Sequence, residues 1–492
     1  MASHLPALQV VLPLIAAPVA VVVRHARPAW ALALAATWGS LGIAAALLIQ
    51  TLETGTLSYA IGGWAAPWGI EYRIDAANAL VLLIVTGIGA AVMPFARASV
   101  ESEVPADRIY LFYAAYLLCL TGLLGIAITG DAFNLFVFLE ISSLSSYVLI
   151  ALGRDRRALT AAYQYLVMGT IGATFILIGV GFLYMMTGTL NMADLARRLP
   201  DVAETRTVHA AFAFLTVGMS LKLALFPLHL WLPNAYAYAP SAVSAFLSAT
   251  ATKVAVYMLL RFVYTVFGAE LAFEAMPMDA VVLVLALAGV FSASTVAIFQ
   301  NEVKRMLAYS SVAQIGYMIL GVSFASVAGL TAAMTHLFNH ALMKGALFMA
   351  IGCVAYRLGS TRIDNLAGLG RRMPWTFAAF VVGGASLVGL PPTAGFISKW
   401  YLVSAALERG WWPVAVLILL GSLLTLAYVG RVIESAYFRT PPVGAAARRE
   451  APAALLLPTW LLVVANLYFG LDTRLNAGVA AEAARTLLRG IG

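Results

Sequence analysis

The sequence predicts an all-α, polytopic membrane protein of about fourteen transmembrane helices, and three observations predict it. Of 492 residues, 62% are hydrophobic and 11% charged, where an ordinary soluble domain is about 25% charged. The mean hydropathy is +0.91, and a soluble fold could not hide that much apolar surface, because burial saturates near roughly three-quarters of a chain's area. The apolar residues also come in runs of about 20, enough for a helix to cross a bilayer, without the alternation of a membrane-spanning β-strand. Together these exclude a soluble enzyme, a nucleic-acid-binding domain and a disordered scaffold.

The runs begin near Leu5, Ala29, Asp75, Ile109, Ala132, Thr160, Thr207, Ser241, Asp279, Ala308, Val327, Pro374, Trp412 and Ala453. The first is not a cleaved leader: no Lys or Arg precedes it, and Arg24 and Arg27 follow it. That polarity puts the N-terminus outside. Alternate loops agree. Those holding Arg24/Arg27, Arg97/Arg108, Arg154/Arg156/Arg157, Lys304/Arg305, Arg357/Arg362/Arg371/Arg372 and Arg439/Arg448/Arg449 carry roughly 16 basic residues, against roughly 8 on the other side. The net charge of +8 therefore reads as topology, with both termini outside the cytoplasmic (inner) membrane. The stretch from about Asn191 to Arg206 reads as a short amphipathic helix at the interface. The ends near residues 444–451 and 476–492 look loosely constrained.

Four blocks follow: residues 1–108 with helices 1–3, 109–267 with helices 4–8, 279–438 with helices 9–13, and 453–492 with helix 14 and a tail. The two middle blocks are predicted to be five-helix repeats, each with its fourth helix broken. An odd number of spans per repeat makes them inverted in the membrane.

The informative residues are ionisable groups inside the apolar runs, where a charge at the bilayer centre costs at least ~2.5–3.5 kcal/mol. Glu140 ends DAFNLFVFLE (131–140), Lys222 sits in VGMSLKLALFPLHLWLP (217–233), and Lys253 in SATATKVAVYMLL (248–260). Lys344 sits in THLFNHALMKGALFMA (335–350) and Lys399 in LVGLPPTAGFISKWYLV (387–403). Snorkelling to the interface is the competing explanation. It is weakest for Lys222 and Lys344 and stronger for Lys399 and Arg261, the last of which reads as structural. Pro227 follows Lys222, and Pro391–Pro392 precede Lys399. Proline removes a backbone donor and clashes with the preceding turn. Open backbone at membrane depth is tolerated only where it is buried in protein or lines a wet cavity. A broken helix beside a charge, at corresponding places in two halves, points to a transport site.

His336, His340 and Lys344 recur every four residues and so share one stripe of a helix. Histidine suits a proton relay because it titrates near neutrality. Interhelical packing through His and Asn339 is the alternative. Two histidines four apart on one helix cannot be opposite axial ligands of one haem. Cys119 and Cys353 lie in apolar runs with no CxxC or zinc spacing, so they read as small core residues, and no cofactor or metal is expected.

Several segments are similar to those of a known family. TGDAFNLFVFLEISSLSSYVLIAL (129–152), GTLNMADLA (188–196), LKLALFPLHLWLPNAYAYAPSAVSAFLSATATKVAVYMLLR (221–261), NEVKRMLAYSSVAQIGYMILG (301–321) and GLPPTAGFISKW (389–400) resemble the antiporter-like subunits. Mrp-type sodium/proton antiporters, respiratory complex I and membrane-bound hydrogenases share these subunits. The resemblance spans about 109–438 and looks closest to the D-type subunit of an Mrp-type antiporter, with a proton-pumping subunit of a complex I-like or hydrogenase-like redox complex as the alternative. It implies an ion-transport subunit rather than an enzyme. It also implies a hetero-oligomer with a related antiporter-like subunit and small membrane subunits, carrying H+ and, in the antiporter reading, Na+. By position it gives Glu140 and Lys222 as an ion pair, Lys253 as the connecting group, His336, His340 and Lys344 as the central relay, and Lys399 as the terminal group. Gln314 stands where many members carry histidine. It cannot titrate, so a link there must run through water or amide hydrogen bonds.

Readings of other classes fit less. A redox subunit would need cofactor ligands that the sequence does not offer. A solute carrier would need a selective pocket rather than a row of single charges. An inert scaffold has little reason to bury ionisable groups at membrane depth.

Overall fold

Apolar runs become helices and polar caps end them in the structure, a computed structural model that describes residues 4–440 and 449–489. The elements, in chain order, are α1 (Leu5–Val23), α2 (Ala26–Thr54), a hairpin of β1 (Leu57–Ala60) and β2 (Glu71–Ile74), α3 (Ala76–Glu103), α4 (Ile109–Ile128), α5 (Ala132–Ala151) and α6 (Arg157–Thr187). Next come α7 (Met192–Arg198), α8 (Arg206–Leu223), α9 (Trp231–Tyr238), α10 (Ser241–Leu260), α11 (Met278–Ile298), α12 (Val303–Ser323), α13 (Val327–Leu358) and α14 (Leu369–Arg372). The chain finishes with α15 (Pro374–Val388), α16 (Ala394–Glu408), α17 (Trp412–Phe438), α18 (Ala453–Leu471) and α19 (Val479–Arg489).

Among the described residues, twelve helices are long and apolar enough to cross a membrane. The other two predicted runs are the interrupted ones. α8 stops because Ala224 turns left-handed (φ 61°) and Pro227 follows, and the chain resumes as α9. α15 stops at Gly389 (φ 92°) ahead of Pro391–Pro392, and resumes as α16. Both breaks thus open on a residue in the αL region, which terminates a helix because the next N–H can no longer reach four residues back.

Caps place the unbroken helices. Asp75 accepts from the N–H groups of Ala77 (3.0 Å) and Asn78 (3.2 Å), while Asn78 Oδ1 accepts from Asp75 N–H (2.7 Å). That reciprocal box satisfies the otherwise orphaned donors at the start of α3. Asp131 caps α5 with a single bond, accepting from Asn134 N–H (2.7 Å). The predicted interfacial helix is α7, capped by Asn191 and continued by one turn of 3₁₀ helix.

α3, α10, α12 and α13 are buried along most of their length. α1, α2, α6, α11, α17 and α18 surround them and expose Val22, Trp38, Val284, Leu423 and Leu461 outward. An apolar belt of this kind faces lipid or partner helices. The 32-residue α13 is about 48 Å long and packs on α10, α12, α15, α16 and α18.

The structure corrects several expectations. The small β1–β2 hairpin between α2 and α3 is additional to the predicted helices. α12 begins at Val303 rather than Ala308, so Lys304 and Arg305 ride on its first turn instead of a loop. Of the two ends expected to be loose, residues 444–448 lie outside the described residues, but Glu450 next to them is tied down. Its carboxylate accepts from Trp375 N–H (2.9 Å) and Thr376 Oγ1 (2.5 Å). Residues 476–489 are packed: α19 buries Val479, Ala480, Ala483, Ala484 and Leu487 against α3 and α13. Small alanines let its backbone approach closely while Glu482, Arg485 and Arg489 point away, so the segment lacks a long apolar run and still docks.

Arg261 is structural, but through pairing rather than snorkelling. Its guanidinium meets Asp75 at 2.8 Å, donates to Tyr257 Oη (3.1 Å), and lies with Asp75 almost wholly buried. Breaking one side of a buried pair strands the other charge and costs about 3–5 kcal/mol. Arg261→Met should therefore lower the thermal midpoint of the purified complex markedly, and adding Asp75→Asn should recover part of the loss. An unchanged midpoint in Arg261→Met would contradict this role.

Candidate functional site

Lys222 occupies the last turn of α8, just before the first break. The break frees backbone groups, and neighbours take them up: Trp231 Nε1 donates to Leu221 O (3.0 Å) and Leu225 N–H to Ser220 O (2.9 Å). The Lys222 ammonium donates to Ser143 Oγ at 2.8 Å and lies 4.0 Å from Glu140 Oε1. Ser143 follows Glu140 by one helical turn on α5, so both face the same lysine. The pair is in Coulombic contact without a hydrogen bond between the charges. The Lys222 side chain is 3% exposed and that of Glu140 31%, so the carboxylate looks towards the flank of α5. A cavity of about 30 Å³ adjoins Lys222, Ser143 and Ser146 and reaches Ala251, Val254 and Ala255 of α10. That volume suits one or two water molecules.

Lys253 lies on α10 between those same residues and is fully buried. Its ammonium donates to the Ser248 carbonyl and, at 3.5 Å, to Thr252 Oγ1. α10 packs along α13, which brings Lys253 within electrostatic reach of His340 and Lys344. Lys344 donates to Leu307 O (2.7 Å) and to the Ser310 hydroxyl, both on α12. His340 and His336 stack with centroids 5.8 Å apart and planes 9° off parallel. Among the described residues, neither ring nitrogen of His340 has a hydrogen-bond partner. A buried unpartnered polar atom costs about 1–3 kcal/mol, so such groups call for an explanation, often catalytic or hydrated.

His336 is fully engaged. Its Nε2 meets Gln314 Oε1 at 3.0 Å and its Nδ1 meets Ser398 Oγ at 2.8 Å. The Gln314 amide oxygen can only accept, so Nε2–H donates to it, while the Ser398 hydroxyl at Nδ1 also lies 3.2 Å from Gly395 O. Gln314 thus meets the relay helix through an amide hydrogen bond to His336. Ser398 also precedes Lys399, which ends the row.

Lys399 does not snorkel. It is buried, and its ammonium donates to Leu387 O (3.0 Å), Val388 O (2.9 Å) and Ser422 Oγ (2.8 Å), 4.9 Å from the centre of the Tyr317 ring. Those carbonyls are the last of α15, left without partners by the break, and a helix C-terminus favours a cation. Gly389 makes room: a Cβ there would stand 2.9 Å from Lys399 Cδ. Asn339 braces the far side of the same break by donating to Ala394 O (2.6 Å).

The structure therefore joins Glu140 to Lys222, His340 to His336 by stacking, and His336 to the Lys399 neighbourhood. No direct hydrogen bond joins Lys222 to Lys253 or Lys253 to α13 among the described residues. Lys222, Lys253, Lys344 and Lys399 are all between 0 and 7% exposed. Sequence reasoning missed the hydroxyls of Ser143, Ser310, Ser398 and Ser422 and the ring of Tyr317. One turn of helical spacing links Ser143 to Glu140, so that one was recoverable. The others come from different helices and needed the packing. His229, in the first break, was also missed; it is buried and stacks on Phe226. Among the described residues, no group of three or more His, Cys, Asp or Glu side chains gathers as a metal site, and both cysteines are buried.

Comparison with known proteins shows the family. Residues 129–425 match the family model described as NADH:quinone oxidoreductase/Mrp antiporter, TM. The chain is 44% identical over 486 residues to NADH-quinone oxidoreductase subunit N of Desulforudis audaxviator, covering 96% of each. It is 31% identical over 443 residues to the D-type Na(+)/H(+) antiporter subunit of Bacillus subtilis, covering 90% of this chain and 88% of that one. A chain of the membrane-bound sulfane sulfur reductase, an archaeal respiratory membrane complex, superposes with TM-score 0.91 at 33% identity, covering 99% of this chain and 98% of that one. This chain is an antiporter-like, multi-pass membrane subunit and belongs to the NADH:quinone oxidoreductase/Mrp antiporter family.

Proposed function

We propose that the chain moves protons along the membrane midplane through Glu140, Lys222, Lys253, His340, His336, Lys344 and Lys399, as one subunit of a hetero-oligomeric complex. The observation that carries this reading is the open Glu140–Lys222 pair, 4.0 Å apart, with the ammonium bound to Ser143 instead. At that distance and an effective dielectric near 20, the pair attracts by about 4 kcal/mol. Moving one charge through 100 mV involves about 2.3 kcal/mol. The two are comparable, so making or separating the pair can couple to a respiratory membrane potential. Paired, Lys222 holds its proton; separated, it yields the proton through the adjoining cavity to Lys253. His340, His336 and Lys344 pass it on to Lys399. Residues 109–267 and 279–438 serve as inverted repeats, each with its fourth crossing broken. Both chain ends face outside the cytoplasmic membrane, by the distribution of Lys and Arg in the loops.

Two assemblies fit this chemistry. The sequence motifs favour the D-type subunit of a sodium/proton antiporter, supported by 31% identity to the Bacillus subtilis protein. The 44% identity over nearly all of both chains favours a membrane subunit of a redox-driven complex, and we take that reading as the stronger. Purifying the complex separates them: flavin or iron–sulfur absorbance from its partners and proton uptake that needs an electron donor support the redox assembly. Proton movement driven by a sodium gradient alone supports the antiporter.

Glu140→Ala and Lys222→Ala should each abolish proton transport by everted vesicles carrying the whole complex, while the variant chain still assembles. Near-normal transport by either would reject the central role of the pair. Lys399→Met should also reduce transport to background, because an aliphatic side chain cannot take up a proton at the end of the row. Retention of most activity would reduce Lys399 to a cap for α15.

A further inference from the structure

Behind the helix that carries His336, His340 and Lys344 lies a groove that the midplane row does not use. Phe338 and Leu342 each stand two residues from a member of that row, about 200° around α13, and so face the other way. On that side α13, α3 and α18 enclose a cavity of about 270 Å³, and every residue lining it is Leu, Ile, Ala, Gly or Phe. Along α3 the cavity runs from Leu83 to Ala91, about 12 Å. The hydrocarbon of one leaflet is about 15 Å deep, half of a roughly 30 Å core. Leu461 lines the cavity and is 60% exposed, so the groove opens onto the apolar belt of the bundle.

A gap of this kind in the belt calls for hydrocarbon. Water needs polar partners, and an apolar cavity of about 150 Å³ stays dry yet admits benzene. Left empty, the wall forfeits its dispersion contacts. A partner's helix is the wrong shape to enter: with side chains it is about 10–12 Å across, so 12 Å of it occupies on the order of 1,000 Å³. One extended acyl chain matches both the length and the width.

The mouth of the groove is polar. α18 ends at Leu471, and there a second cavity of about 270 Å³ adjoins the first, sharing Phe469 and Leu475 with it. Tyr468, Asp472 and Arg474 complete its lining. Arg474 Nη2 meets Asp472 Oδ2 at 2.6 Å, its Nε donates to Oδ1 at 3.0 Å, and Tyr468 Oη donates to Oδ2 at 3.2 Å. The Arg474 side chain is 90% exposed. The carboxylate therefore occupies one edge of a guanidinium that has five N–H donors, and the rest turn to the surroundings. A tyrosine at the end of a span sits at headgroup level. A cation and an anion side by side match a zwitterionic headgroup: the planar guanidinium takes a phosphate, and the carboxylate takes a primary ammonium.

We propose that this groove is a phospholipid site, with one acyl chain lying between α3, α13 and α18 and an ethanolamine-type headgroup resting on Arg474 and Asp472. The chain fills the space behind Phe338 and Leu342 and so backs the helix that carries the row. The site follows from the groove and its mouth alone, and it stands whether or not the row conducts protons.

The test uses the whole complex in vesicles of mixed phosphatidylethanolamine and phosphatidylglycerol, with a photoactivatable diazirine on the acyl chain of one lipid at a time. Illumination should attach phosphatidylethanolamine to the α13 peptide holding Phe338 and Leu342 several-fold more than phosphatidylglycerol, which has no ammonium. A Cβ at Gly87 would meet nothing within 4 Å, so Gly87→Leu puts a side chain into the groove without a clash and should cut that labelling several-fold. Ala465→Leu fills it from α18 and should do the same. Arg474→Glu, at an exposed position, should remove the preference for phosphatidylethanolamine. Adducts at Leu423, exposed on α17, report ordinary lipid contact and should stay constant throughout. Labelling of the groove that both fillings leave undiminished, or that ignores the headgroup, overturns the proposal. So does a groove without label, the result if a partner subunit covers it, and so does label displaced by an isoprenoid quinone but not by unlabelled phosphatidylethanolamine.

Discussion

A lysine ammonium held in hydrocarbon must find oxygen atoms to replace its water, and this constraint shapes the whole bundle. Each buried lysine finds a different set. Lys399 takes the two carbonyls that α15 leaves open at its break, together with Ser422. Lys344 takes a carbonyl and a hydroxyl from α12. Lys253 turns back on its own helix, and Lys222 takes Ser143. The acceptors are mostly neutral. Neutral acceptors stabilise an ammonium less than a carboxylate does, and they also hold a neutral amine through its remaining N–H groups. A chain of such sites can change protonation state without large structural rearrangement.

The helix breaks follow from the same constraint. A continuous helix consumes its own carbonyls and has none to offer a cation. Ala224 and Gly389, both in the left-handed region, end their helices at the depth where Lys222 and Lys399 sit. The groups so released are then satisfied from other elements: the indole of Trp231 serves the first break, and Asn339 braces the second. A discontinuity that would be intolerable against lipid is tolerated because protein surrounds it.

The crossings were legible because hydropathy alone dictates them, and the breaks because proline and glycine announce them. The ionisable row was legible because a charge in an apolar run stands out. What the chain order hid was the cross-helix chemistry. Ser398 and Gln314 lie 62 and 22 residues from His336, and only packing shows that both bond its ring. Arg261 and Asp75 lie 186 residues apart, and each reads alone as a polar residue near a membrane surface. The α19 segment was misread because its buried face consists largely of alanines, which carry little hydropathic signal even when fully packed.

Asn476 draws these themes together. In the turn after α18, its side-chain amide donates to Asn339 Oδ1 at 2.9 Å, and Asn339 in turn donates to the Ala394 carbonyl. The first of these contacts spans 137 residues. During synthesis, therefore, the second interruption gains its last brace only after a further helix, α18, has threaded the bilayer and delivered that asparagine. A nascent chain halted before this point holds every lysine of the row yet lacks the latch, so the bracing of the second break is tied to the completion of insertion.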